Sequence, residues 1–132
     1  MIDCENEVFT KIAAMLRVSF PGVNIASEYK NVPSAFPHVS ITMSDNSVMF
    51  SRMDSGNYEV AIVLFEINIY SNKTEGKKTE CKNIAKAIDN LLTPMNFRRM
   101  SMNPVPNMED ASIYRIVARY RVATDGKFFY RR

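Results

Sequence analysis

The run Val60-Ala61-Ile62-Val63-Leu64-Phe65, followed at once by the alternating Glu66-Ile67-Asn68-Ile69, constrains this chain more than any other stretch. Continuous apolar residues rich in β-branched side chains predict a strand covered on both faces, and the alternation beyond them predicts one wetted face. Residues 59–70 are therefore expected to form a central strand, and the rest of the chain must supply what covers it.

Two helices can do so. Residues 5–18 place Val8, Phe9, Ile12, Met15 and Leu16 at helical spacing, with Glu5 and Glu7 at the start and Arg17 near the end, as the helix dipole favours. Pro21-Gly22 ends that helix. Thr74 can cap a second helix reaching about Thr93, with Cys81, Ile84, Ala85, Ile88, Leu91 and Leu92 on one face and Pro94 beyond its end. Its other face, Lys77, Lys78, Lys82, Lys86 and Asp89, reads as solvated surface.

Further strands are expected over residues 23–27, over 39–44, where Val39, Ile41 and Met43 alternate with Ser40, Thr42 and Ser44, over 97–102, and over 112–123. In the last of these Tyr114, Ile116, Ala118, Tyr120 and Val122 point one way, and Ile113, Arg115, Val117, Arg119 and Arg121 the other. Residues 44–57 are polar around a Val48-Met49-Phe50 centre and read as a long hairpin arm. Residues 103–110, with Pro104 and Pro106, read as a loop in which Glu109-Asp110 serves turn formation.

The order α-β-β-β-α-β-β predicts an α+β two-layer domain spanning residues 1–132, a mainly antiparallel mixed sheet with two helices on one face. A chain of 132 residues suits one such domain, and its 46% apolar and 23% charged content is that of a globular protein. No apolar run approaches a membrane span, and the acidic opening Met1-Ile2-Asp3-Cys4-Glu5 is unlike a signal peptide, so a cytoplasmic origin and no membrane partner are expected.

The search for chemistry is negative. Cys4 and Cys81 have no CxxC spacing and His38 is the single histidine, which supports neither a zinc site nor a disulfide framework. Two buried or half-buried thiols are expected instead. Gly22, Gly56, Gly76 and Gly126 are isolated, so no phosphate-binding glycine run exists, and no HExxH or GxSxG motif occurs. No enzyme activity and no cofactor are expected.

Four features point to contacts. Val32-Pro33-Ser34-Ala35-Phe36-Pro37 is a stiff, extended lead-in that fixes Phe36 against a helix or a neighbour, or else shields a strand edge from pairing. Val48, Met49 and Phe50 would be buried either by another subunit or by the arm folding back. Nine methionines, several in the arm and near residues 95–102, suit adaptable contacts or an irregular core. Arg115, Arg119 and Arg121, extended by Arg98 or Arg99, form a basic face that could pair with carboxylates of another subunit, line a passage for nucleic acid, or simply face solvent. Neither helix offers the basic and amide residues that sequence-specific DNA reading needs.

Phe36-Pro37-His38-Val39-Ser40-Ile41, Glu66-Ile67-Asn68-Ile69-Tyr70-Ser71-Asn72-Lys73, Gly76-Lys77-Lys78-Thr79-Glu80-Cys81-Lys82, Met95-Asn96-Phe97-Arg98-Arg99 and the stretch 104–115 (PVPNMEDASIYR) together carry a resemblance. The chain resembles the small tail-terminator (tail-completion, minor capsid-like) proteins of phages and prophages of Gram-positive bacteria, over nearly its whole length and in element order and strand phrases. The resemblance implies an α+β subunit of a hexameric ring that caps the finished tail tube at its head-proximal end in the virion, after assembly in the host cytoplasm. It implies a homo-oligomer with the tail-tube protein and the head-tail connector as partners, and allows non-specific contact with DNA in the lumen. Two alternatives stay open: a head-tail joining or head-completion protein, and a small nucleic-acid-binding domain that uses the arginine face with stacking from Tyr114, Tyr120, Phe128, Phe129 and Tyr130.

Overall fold

The computed structural model describes residues 1–30, 32–48, 59–107 and 110–130. The central strand is β3 (Ala61–Ser71), flanked by β2 (His38–Val48) and β5 (Tyr114–Thr124). β1 (Asn24–Ala26) pairs parallel with β2 at one edge, and β4 (Arg98–Pro104) pairs antiparallel with β5 at the other. A two-residue β6 (Phe129–Tyr130), too short to leave a pattern in the sequence, also pairs with β5. The architecture is the expected α+β one, an open mixed sheet with α1 (Glu5–Ser19) and α2 (Lys77–Leu92).

The helices bury one face of the sheet. Val8, Ile12 and Leu16 of α1 and Ile84, Ile88 and Leu92 of α2 pack with Val63, Phe65, Ile67 and Ile69 of β3 and Ile116, Ala118, Tyr120 and Val122 of β5 in one core cluster. Each such Val, Leu, Ile or Phe side chain contributes about 1.5–3 kcal/mol by leaving water. Phe97, fully buried, lies 6.0 Å from Phe65 and 5.3 Å from Phe129, ring centre to ring centre, and joins β6 to this core.

Two boundaries differ most from expectation. The first five residues assigned to the arm are strand: β2 continues to Val48 through a bulge between Met43 and Asp45, which breaks the alternation there. The Met43 N–H at the bulge donates to Glu5 Oε2 at 3.1 Å, so the first turn of α1 satisfies it. The remainder of the arm, including Met49 and Phe50, lies outside the described residues. The second helix begins at Lys77 behind Gly76, which holds φ +85, so Thr74 is not its cap. Its exit is held by Phe97 N–H donating to the Leu92 carbonyl (3.1 Å), with Asn96 in the left-handed region at φ +72.

Both thiols are buried and unpaired, as expected of them. Burial pushes Cys4 up to about 11 and Cys81 up to about 12, so both stay protonated and inert at neutral pH.

Candidate functional site

The register places Ile62, Leu64, Glu66, Asn68 and Tyr70 of β3 on the face away from the helices, opposite Ala123, Arg121, Arg119, Val117 and Arg115 of β5. This helix-free face divides into two parts with different chemistry.

Near the start of β2 it is packed and closed. The Tyr70 hydroxyl donates to the Lys30 carbonyl at 2.8 Å, tying the segment before β2 over the sheet. Arg115 Nε donates to Asn68 Oδ1 at 2.9 Å, and the guanidinium lies 5.2 Å from the Tyr29 ring centre and 5.7 Å from that of Tyr70. Arg115 is thus a half-buried bracing residue. Burial, chiefly, pushes the Tyr70 phenol up to about 12.

His38 is buried beneath this cover, 5.7 Å from the Tyr70 ring centre, and its Nδ1 lies 2.9 Å from Asn24 Nδ2. The amide nitrogen can only donate there, so Nδ1 accepts and Nε2 carries the hydrogen, without a partner among the described residues. Burial, then the nearby Lys30 charge, holds the imidazole below its ordinary value. A histidine kept neutral in the fold binds a proton more readily once unfolded, so its contribution to stability is complete above about pH 6.5 and is lost as the pH falls through the folded value. The urea midpoint of the native protein should decline as the pH falls below about 6.5, and His38→Gln should flatten that decline. An identical slope in the variant would assign the titration to another group.

The proline lead-in ends here. The Pro37 carbonyl accepts from Asn24 N–H at 2.9 Å, so the segment delivers β2 to a partner, β1, that covers its edge. Phe36 precedes a cis peptide bond to Pro37 and is half-buried, outside the residues that pack on the helix-side core.

The other part of the face is basic and open. Arg98 of β4 stands directly across from Arg121, and Ser101 across from Arg119. Arg99, one residue on, faces the helices, where it pairs with Asp89 at 3.5 Å. Strand parity thus selects Arg98 for the basic face. Arg119 Nε is 4.0 Å from Glu66 Oε2, while Arg121 Nε is buried beside half-buried Leu64 with no acceptor among the described residues. Like charges directly opposed across strands repel, and guanidinium forks favour a planar carboxylate or a phosphate. The arrangement suits an anionic group from outside, with Ile62 and Leu64 supplying apolar area beside it.

Sequence reasoning placed Arg115, Arg119 and Arg121 on one face, which the register repeats, but could not separate the braced Arg115 from exposed Arg119 and half-buried Arg121. Asp89, read as solvated, is half-buried and accepts the Tyr120 hydroxyl at 2.8 Å; burial first, and then this hydrogen bond, raises that phenol far above its ordinary range. Asp110 forms the expected turn by accepting from Ser112 N and Oγ (2.9 and 2.7 Å), which holds its carboxyl below the usual range. Val48, 41% exposed at the end of β2, pairs with Ala61 and so shares the helix-side face, not the arginine face.

Among the described residues no group of three or more His, Cys, Asp or Glu could hold a metal, and no helix is long and apolar enough to cross a membrane. No family model and no curated protein matches the sequence. The fold has a structural counterpart in a virion. Among solved structures it is similar to a chain described as "Virion of native gene transfer agent (GTA) particle", with a TM-score of 0.59 over 86% of this chain and 88% of that chain. At 16% identity the likeness is one of fold.

Proposed function

We propose that this protein is a structural component of a phage-like virion that acts by shape and makes or breaks no covalent bond. The observation that carries this reading is the shared fold with a chain of a gene transfer agent virion, which extends over most of both chains. The finer reading is a tail terminator: copies close into a hexameric ring at the head-proximal end of the tail, between the tail-tube protein and the connector. The resemblance in strand phrases and element order supports it.

Phe36 lies two residues before β2 and Val48 ends it, and the eleven-residue strand between them spans about 33 Å. Two separated contact regions suit a head-to-tail ring, in which each subunit meets its neighbours through different surfaces. The arginine pair then meets acidic residues of a neighbour or the phosphates of DNA in the lumen. Light scattering and electron microscopy of the purified protein should reveal closed rings. A monomer at every concentration, together with no binding to tail-tube protein, would refute the assembly.

The opposed Arg98 and Arg121 also favour a second reading, non-specific DNA binding as the main role. Salt titration separates the two: affinity for DNA that falls steeply with salt supports it, and no binding at low salt removes it.

A further inference from the structure

On the opposite side of the molecule from the arginine pair, a cleft of about 460 Å³ runs between α2 and the β4 edge of the sheet. Its floor is apolar, made by Ala85, Met102, Tyr114 and Ile116. Its rim is cationic: Lys78, Lys82 and Lys86 line one wall, and Arg99 stands on the other. The lysines recur every fourth residue and so form one ridge, at steps of about 6 Å along the helix. All three are exposed, and among the described residues the ion pairs are those of Met1, Lys73, Arg99 and Arg119, so the ridge is uncompensated. Arg99 is fixed in place by Asp89 at 3.5 Å. Beyond β4 the sheet has no further strand among the described residues.

We infer that this cleft is a docking site for an acidic peptide segment of a protein partner, one that carries an apolar side chain among its carboxylates. Charge complementarity selects the sign of the occupant, and the floor selects its class. Carboxylates on every second residue of an extended segment stand about 7 Å apart, close to the spacing of the lysine ridge. A cleft of this size has room for the apolar side chain between them and more of the segment, and the open β4 edge lies alongside for backbone pairing. A nucleic acid would satisfy the lysines but would use neither the floor nor the strand edge. The inference concerns a surface separate from the arginine pair and stands whether or not the protein forms a ring.

Fluorescence anisotropy on the full chain tests it, with a labelled probe peptide of about twelve residues that has two central leucines flanked by glutamates. The probe should bind at low salt. Lys82→Glu with Lys86→Glu should weaken it at least about tenfold, as should probes with glutamine for glutamate or serine for leucine. The Met102 methyl resonance should shift on binding. If the charge-reversed protein does not fold, Lys82→Gln with Lys86→Gln takes its place, with a smaller loss expected. No binding at about 1 mM peptide, equal affinity for the leucine-free probe, tighter binding of an oligonucleotide of equal charge, or indifference to the lysine changes would each overturn the proposal.

Discussion

Phe97→Ala is expected to lower the free energy of unfolding by about 3–5 kcal/mol, a large part of the 5–15 kcal/mol typical of a domain. The ring is fully buried and bridges Phe65 of the central strand to Phe129 of β6. Truncation therefore removes its transfer free energy and leaves a cavity between elements that cannot all close in on it. Phe97 follows Asn96, whose Nδ2 donates to the Phe129 carbonyl at 2.9 Å, so the exit of α2, the start of β4 and β6 share this one anchor. Urea unfolding measures the loss. A change below about 1.5 kcal/mol would mean that the site collapses freely and that β6 is not tied to the core.

The second large effect concerns assembly. Arg98→Gln with Arg121→Gln should leave the fold as stable as before or slightly more so, because two like charges face each other across β4 and β5. The same change should abolish association: removing a charge whose carboxylate partner is buried at an interface costs about 2–5 kcal/mol, or well over tenfold per interface. Arg115→Ala should do the reverse. It leaves Asn68 Oδ1 without its donor and strips the cation from between Tyr29 and Tyr70, at a cost of about 1–3 kcal/mol in stability with association intact. Light scattering and urea unfolding on both variants separate the roles. Rings that persist without Arg98 and Arg121 would exclude that face from the contact.

Much of the fold was legible because its signals are local. The period of Val8, Ile12 and Leu16 and that of Ile84, Ile88 and Leu92 marked two helices by their buried stripes, and the two-sided apolar run before Glu66 marked the middle of the sheet. Where local signals failed, a distant group had intervened. The alternation of β2 was lost at Ser44 because a bulge lies there, steadied by Glu5 from the first helix. Thr74 looked like a cap, but the chain turns at Gly76 instead.

The site was legible in part only. Alternation along β5 is enough to put Arg115, Arg119 and Arg121 on one face, since a strand has a period of two whatever surrounds it. It cannot tell which arginine is free. Asn68, 47 positions away in sequence, takes Arg115 out of the set, and the register of β4 brings Arg98 in and sends Arg99 to Asp89.

The amino-acid sequence by itself determined the two helices and the longer strands, their buried faces and the absence of any recognisable catalytic motif, because those depend on residue type and spacing along one segment. Only the tertiary structure decided which charges are braced, which are opposed and which line a cleft with an apolar floor. Those properties belong to pairs of segments, and strand register and helix placement, unlike periodicity, are not written in either segment alone.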